Sequence, residues 1–385
     1  MSYFHLNLIL KGKLTVCCLL MLSVIPLNAQ REAKQIGDFK ESISLNEHLR
    51  GTKRTLQYCP DGDEFVCVNG KNRYTRALYG SHSPFRVETS DRPVFAFYNN
   101  GRGGNISFKV ILRDGTELAL DRTGYCESRY SAGKRTYYLT DPSWGKGELR
   151  ISVLALADMD GAIWRFSPSN MPKGAILRWQ HGGATGKRLS RNGDMGVDPA
   201  DCFELPAEAT DLVTGELALQ KEVYLVRGEV PEGYNVRKLY QQAEAASLAL
   251  ASHLKIETPD PYLNTLGGAL VAAADGIWDG QVWLHGAIGW RMPLSGWRAG
   301  YTGDALGWHD RARTHFDAYA ASQVTDVPNT IPHPAQDSTM NLARSEKRWG
   351  TPQYSNGYIC RNPERNNQMH HYDMNLCYMD ELLWH

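Results

Sequence analysis

The hydrophobic positions of the chain change their period near residue 235, and that change divides it. From about Glu64 to Glu229 apolar and polar residues alternate with a period near two, in short runs separated by turns. This is the pattern of strands. Gly104–Leu112 and Thr116–Leu120 flank Asp114-Gly115, and Gly147–Leu156 and Ala162–Phe166 flank Asp158-Met159-Asp160-Gly161. Both read as hairpins, since glycine accepts the backbone of a tight turn. Further runs lie at Thr136–Leu139, Ala175–Gln180 and Leu217–Arg227. Many short strands without intervening helices predict an antiparallel β-sandwich.

Beyond Asn235 the period becomes helical. Leu239, Ala243, Ala246, Leu250 and Leu254 recur at three- and four-residue intervals between Val236 and Lys255, which predicts an amphipathic helix. Pro259-Asp260-Pro261 stops it, and Tyr262–Ile277 reads as a second, Ala-rich helix. Asp304–Ser322 is a third, with Leu306, Ala312, Phe316, Tyr319 and Ala320 on its apolar side. From Thr325 to Asn367 the chain is rich in Pro, Asn and Gly and reads as surface loops. Asn367–His385 resumes helix, with Tyr372, Leu376, Met379 and Leu383 on one face. No glycine, proline or cap follows it, so the helical region is expected to be a truncated part of a larger one.

At the N-terminus Lys11 and Lys13 precede an apolar run from Leu14 to Pro26, and Ala29 supplies a small residue before Gln30. A positive flank, a short apolar core and a small terminal residue predict a cleaved signal peptide over residues 1–29 and a secreted or periplasmic protein. The expected organisation is then a sandwich over 30–234, a linker helix over 235–258 and helices over 259–385. No later stretch is long and apolar enough to span a bilayer, so no membrane association is expected after cleavage.

Composition narrows the partners. The 385 residues carry 42 basic and 42 acidic side chains, which gives no broad attraction to nucleic acid or anionic lipid. Of the 8 cysteines, Cys17 and Cys18 lie in the signal. Among the others Cys59–Cys67 is the nearest pair for oxidation, with buried thiols the alternative. No Cys/His set has zinc spacing, and no metal or other cofactor is expected.

The densest chemistry lies between Trp278 and Trp308. Five of the 10 tryptophans fall there, namely Trp278, Trp283, Trp290, Trp297 and Trp308, interleaved with Asp275, Asp279, Arg291, Arg298, Asp304, His309, Asp310 and Arg311. Indole faces stack on the C–H faces of sugar rings, while carboxylates and guanidinium groups bind hydroxyls. A saccharide site uses that mixture; a tryptophan-rich core edged by ion pairs is the bland alternative. The glycines of the segment favour an irregular loop and so a ligand-facing role for part of it.

The run Asp275-Gly276 to Trp290-Arg291, followed by Gly296-Trp297-Arg298-Ala299-Gly300-Tyr301-Thr302-Gly303-Asp304-Ala305-Leu306-Gly307-Trp308-His309-Asp310-Arg311, resembles the first hairpins of six-hairpin glycosidases. That resemblance implies an N-terminal β-sandwich, a linker helix and an (α/α)6 toroid, here only its incomplete start. The chain is most similar to a secreted family described only as a domain of unknown function. Gly300-Tyr301-Thr302-Gly303-Asp304-Ala305 also resembles a segment of the α-L-rhamnosidases. There the general-acid glutamate lies three residues before the first glycine, where this chain has Trp297. The catalytic acid therefore does not transfer, and Asp304 transfers only as a sugar-hydroxyl ligand.

Glycoside hydrolysis commonly uses two carboxyl groups across the scissile bond. Asp304, Asp310 and Asp373 are the expected catalytic residues. Asp373 is placed near the start of its helix, whereas Asp380 and Glu381 read as a solvated face. Trp290, Arg291, Trp297, Arg298, Tyr301, Trp308, His309 and His371 are the expected substrate-binding residues. The expected protein is an exported glycoside hydrolase acting on an oligosaccharide or polysaccharide of plant or host origin. The alternatives are a non-catalytic carbohydrate-binding protein and, further off, a polysaccharide lyase using tyrosine and histidine.

Overall fold

A computed structural model describes residues 57–71, 74–99, 102–182, 212–286, 293, 300–323, 325, 359–360, 363 and 372–385. The chain divides into two compact units, Met1–Cys59 and Pro60–His385, and the second is the one described below. Two antiparallel sheets come first and helices follow. In one sheet the order is β1 (Cys59–Asp61), β2 (Glu64–Val68), β8 (Tyr125–Ser131), β9 (Lys134–Thr140), β10 (Glu148–Ala155), β11 (Gly161–Ser169) and β14 (Val223–Gly228). The other runs β13 (Val213–Ala218), β12 (Ile176–Gly182), β6 (Arg102–Ile111), β5 (Phe95–Asn99), β4 (Arg86–Ser90) and β3 (Tyr74–Leu78), with β7 (Glu117–Ala119) beside β6.

Alternation along the strands fills the space between the sheets. Val153 pairs with Trp164 and Ile151 with Phe166 on β10 and β11, and all four are fully buried. Trp164 and Tyr137 meet Phe95 of the other sheet edge-to-face, with ring centroids 5.5 and 5.6 Å apart. That edge-to-face arrangement suits the ring quadrupoles. The next pair along, Leu154 and Ile163, points to the opposite face, where helix α1 (Val236–Ala251) covers it with Leu239, Tyr240 and Ala243. Cys67 and Cys126 are thiols in this interior. Burial pushes the Cys126 thiol up to about 12, so it is protonated and inert at neutral pH.

The run Leu217–Arg227, read from sequence as one strand, is two. β13 and β14 lie in different sheets, and the turn between them carries the chain from one to the other. The first two helices begin within a residue of where the sequence placed them. Asn235 caps α1 through Lys238 N, and Asp260 caps α2 (Pro261–Gly276) through Tyr262 N, each satisfying an orphan N–H of the first turn. No helix among the described residues is long and apolar enough to cross a membrane.

The third helix departs from expectation. The chain forms a short α3 (Gly300–Ala305), breaks, and restarts as α4 (His309–Ala321). Gly307 sits between them at φ 74°, a conformation that other L-residues adopt at a cost. The last helix, α5, is described over Tyr372–Trp384; positions 367–371 of the expected span lie outside the described residues. A second core gathers Val271, Trp278, Trp283, Leu306, Trp308, Phe316, Tyr319 and Tyr378 from these helices and their connections. The Tyr378 hydroxyl donates to the Phe316 carbonyl at 2.9 Å, which ties α5 to α4.

Candidate functional site

The Gly-Tyr-Thr-Gly-Asp motif builds a two-sided short helix. Gly300 and Gly303 are three residues apart and so share one side of α3. A methyl group at Gly300 would collide with Glu381 Oε2, and one at Gly303 would meet the Trp283 ring at 2.5 Å. The two glycines thus let α5 and an indole lie directly on the backbone. Tyr301 and Asp304, also three apart, share the neighbouring side and remain accessible: the Tyr301 residue is 44% exposed and the Asp304 side chain 30%.

Helix α5 completes this face. The Tyr301 hydroxyl donates to Asp380 Oδ2 at 2.8 Å. That bond to an acceptor carboxylate, together with nearby negative charge, pushes the Tyr301 phenol up to about 12. Asp304 Oδ1 lies 2.6 Å from His309 Nδ1, and Asp304 Oδ2 lies 2.9 Å from His385 Nδ1. Partial burial works to raise the Asp304 pKa, but the hydrogen bonds and charges of the two imidazoles outweigh it and hold it below the ordinary value. The break at Gly307 is what permits the His309 contact. In an uninterrupted helix, residues five apart would point roughly 140° away from each other.

A second polar junction lies where the sandwich meets the helices. Asp275, at the end of α2 and 8% exposed, accepts from Arg311 at 2.7 Å and stands 3.1 Å from His82 Nε2. Arg311 lies over the rings of Trp308 and Trp278 at 4.4 and 5.8 Å. Nearby, the fully buried Arg86 donates to the carbonyls of Ser83 and Phe85 and, at 2.6 Å, to that of Gly276. Burial raises the Asp275 pKa, but hydrogen bonds from His82 and Arg311 outweigh it and leave the group more acidic than usual.

The residues expected from sequence do not all come together. Asp304, Tyr301 and His309 come together on the α3–α5 face. Asp310 is exposed in the first turn of α4, where its charge suits the helix dipole. Trp308, with Trp278 and Trp283, belongs to the second core at 9%, 5% and 1% exposure. Those three indoles serve packing, and the fully enclosed Trp283 leaves no face for a sugar. Asp373 is the second residue of α5, and only its backbone is described. Trp290, Arg291, Trp297, Arg298 and His371 lie outside the described residues.

One α5 assignment needs correction. Glu381 is 2% exposed, held against Gly300, and is not part of a solvated face. Asp380 is exposed but engaged by Tyr301. His385 and His82 were not singled out by sequence reasoning; the four-residue spacing of Glu381 and His385 is the only local signal that could have paired His385 with this face. Among the described residues no three His, Cys, Asp or Glu side chains are arranged to hold a metal ion.

The family model "Domain of unknown function (DUF4450)" matches residues 100–230, within the sandwich. No curated protein matches the chain. Among solved structures, a bacterial glucoamylase complexed with acarbose is similar at 9% identity and a TM-score of 0.42. The likeness covers 68% of this chain and 55% of that one, so the chain spans little more than half of that structure's length. At that TM-score the similarity carries no argument about activity.

Proposed function

We propose that the chain is part of an exported glycoside hydrolase, with the α3–α5 face as its catalytic surface and α2 to α5 as the start of a helical toroid. One observation carries the reading: helix α5 brings two groups to the exposed side of α3, Asp380 to the Tyr301 hydroxyl and His385 to Asp304, so that carboxylates from two different helices share one face. Tyr301 and Asp304 are one helical turn apart, about 5–6 Å between their Cβ atoms. Two carboxyl groups facing one position are what most glycosidic bond cleavage uses, and an exposed aromatic ring beside them suits the C–H face of a sugar. The substrate class is an oligosaccharide or polysaccharide, with the segment holding Trp290, Arg291, Trp297 and Arg298 supplying further contacts. His371, Asp310 and Asp373 complete the set to be tested.

The test is release of new reducing ends from soluble plant and host glycans by the wild-type chain and by Asp304→Asn, Asp380→Asn and Asp310→Asn. Loss of release in the first two supports the reading, and unimpaired release in both refutes it. Saturable glycan binding without any release would favour a carbohydrate-binding protein. Product absorbing in the near ultraviolet would indicate a lyase. The Tyr301 hydroxyl, donated to Asp380 and pushed up to about 12, is poorly suited to act as the base a lyase needs.

A further inference from the structure

We propose that His309 is the proton donor of this face, held in place by Asp304. The inference rests on the glycan-cleaving reading above and assigns its missing acid. Two-carboxyl hydrolysis needs one protonated group, yet both exposed carboxylates act here as acceptors. Asp304 accepts from two imidazoles and Asp380 from a phenol. Glu381, the third acid of the face, is sealed from solvent at 2% exposure. Asp304 therefore cannot hand over a proton while it holds its two partners.

The imidazole can. A carboxylate only accepts, so His309 Nδ1, 2.6 Å from Asp304 Oδ1, carries a hydrogen. That fixes the ring and turns Nε2, on its far edge, away from the carboxylate. The His309 side chain is 65% exposed, which leaves Nε2 open to a ligand. His385 makes the same contact from the other side, but its side chain is 21% exposed and its ring lies 5.3 Å from that of Phe316. One carboxylate thus orients two imidazoles, and only one of them faces outward. A carboxylate holding an imidazole by Nδ1 so that Nε2 can exchange a proton is the orienting half of a hydrolytic triad.

The step balances as follows. The water oxygen bonds to the anomeric carbon while its proton passes to the Asp380 carboxylate. The glycosidic C–O bond breaks, and the departing oxygen takes the proton from Nε2 of the His309 imidazolium. His309 is left neutral, with Nδ1–H still donating to Asp304. Solvent then removes the proton from Asp380 and returns one to His309.

The leaving group separates this role from a structural one. Dinitrophenyl glycosides of the common hexoses, pentoses and deoxyhexoses depart without protonation, whereas methyl glycosides and natural glycans, which leave as alkoxides, need it. His309→Gln is expected to lose about a hundredfold or more in kcat on the second group and only a few-fold on the dinitrophenyl series. Asp304→Asn should show the same contrast, and Asp380→Asn should lose both. Equal loss of both substrate groups in His309→Gln, or no loss in either while Asp380→Asn is inactive, overturns the proposal and leaves the hydrolase reading standing. Undiminished cleavage in Asp304→Asn and Asp380→Asn, or none by the wild-type chain on any probe, overturns both.

Discussion

The carboxyl group of Glu381 rests on the Cα of Gly300, leaving no room for a methyl group between α3 and α5. Gly300→Ala must push the two helices apart or force Glu381 out of its buried seat. Overpacking of this kind costs about 1–3 kcal/mol, and Tyr301–Asp380 should be strained with it. Urea unfolding is expected to show a lower midpoint. A midpoint equal to that of the wild type would mean that the contact is loose.

Trp283 is 1% exposed and touches both His315 and the Gly303 backbone. Trp283→Ala is expected to cost about 3–5 kcal/mol, with Trp283→Phe falling short of that. Thermal and denaturant unfolding measure it. Weaker glycan binding at unchanged stability would instead mark this indole as ligand-facing.

Asp275 makes stability depend on acid. Its native pKa is depressed, so the unfolded chain binds its proton more readily than the folded one. The stability it contributes is fully present above the ordinary carboxylate value of about 4. It is lost as pH falls from there through the lower native value. The wild type should therefore lose unfolding free energy more steeply below about pH 4 than Asp275→Asn, whose stability starts lower. Parallel pH profiles for the two proteins would contradict this.

Tyr301 offers a spectroscopic check on the site. With Asp380 in place its phenol should ionise near 12. Asp380→Asn is expected to bring that ionisation down toward the ordinary value of about 10. The difference between each protein and its Tyr301→Phe counterpart, followed by ultraviolet absorbance on raising the pH, isolates the transition. An unmoved transition would deny the Tyr301–Asp380 bond.

Much of the fold was legible because it depends on local pattern. Alternation gave the hairpins around Asp114-Gly115 and Asp158–Gly161, three- and four-residue spacing gave α1, and the Pro259-Asp260-Pro261 restart with an Ala-rich run gave α2. Tertiary placement was not legible in the same way. Leu217–Arg227 is continuously strand-like, yet its halves belong to different sheets, a choice made by partners and not by propensity. The Gly-Tyr-Thr-Gly-Asp motif pointed to Asp304 and Tyr301. Its glycines, taken as marks of a loop, proved to be places where Glu381 and Trp283 approach the backbone. His385 and His82 reach their carboxylates across 81 and 193 residues of sequence, distances at which spacing carries no information. Tryptophan density was ambiguous for a physical reason: the same large ring serves a dry core or a sugar, and only its neighbours decide.

The guanidinium of Arg86 has a consequence for dissecting the chain. It reaches from the sandwich to the final carbonyl of α2, a helix end that otherwise needs water or a capping residue. The β-rich half thus closes a helix that the linker would assign to the other half. Severing the polypeptide near residue 235 would strand that carbonyl and empty the seat of a buried cation. The seam that hydropathy marks is therefore not a cleavage plane along which two independent folding units separate.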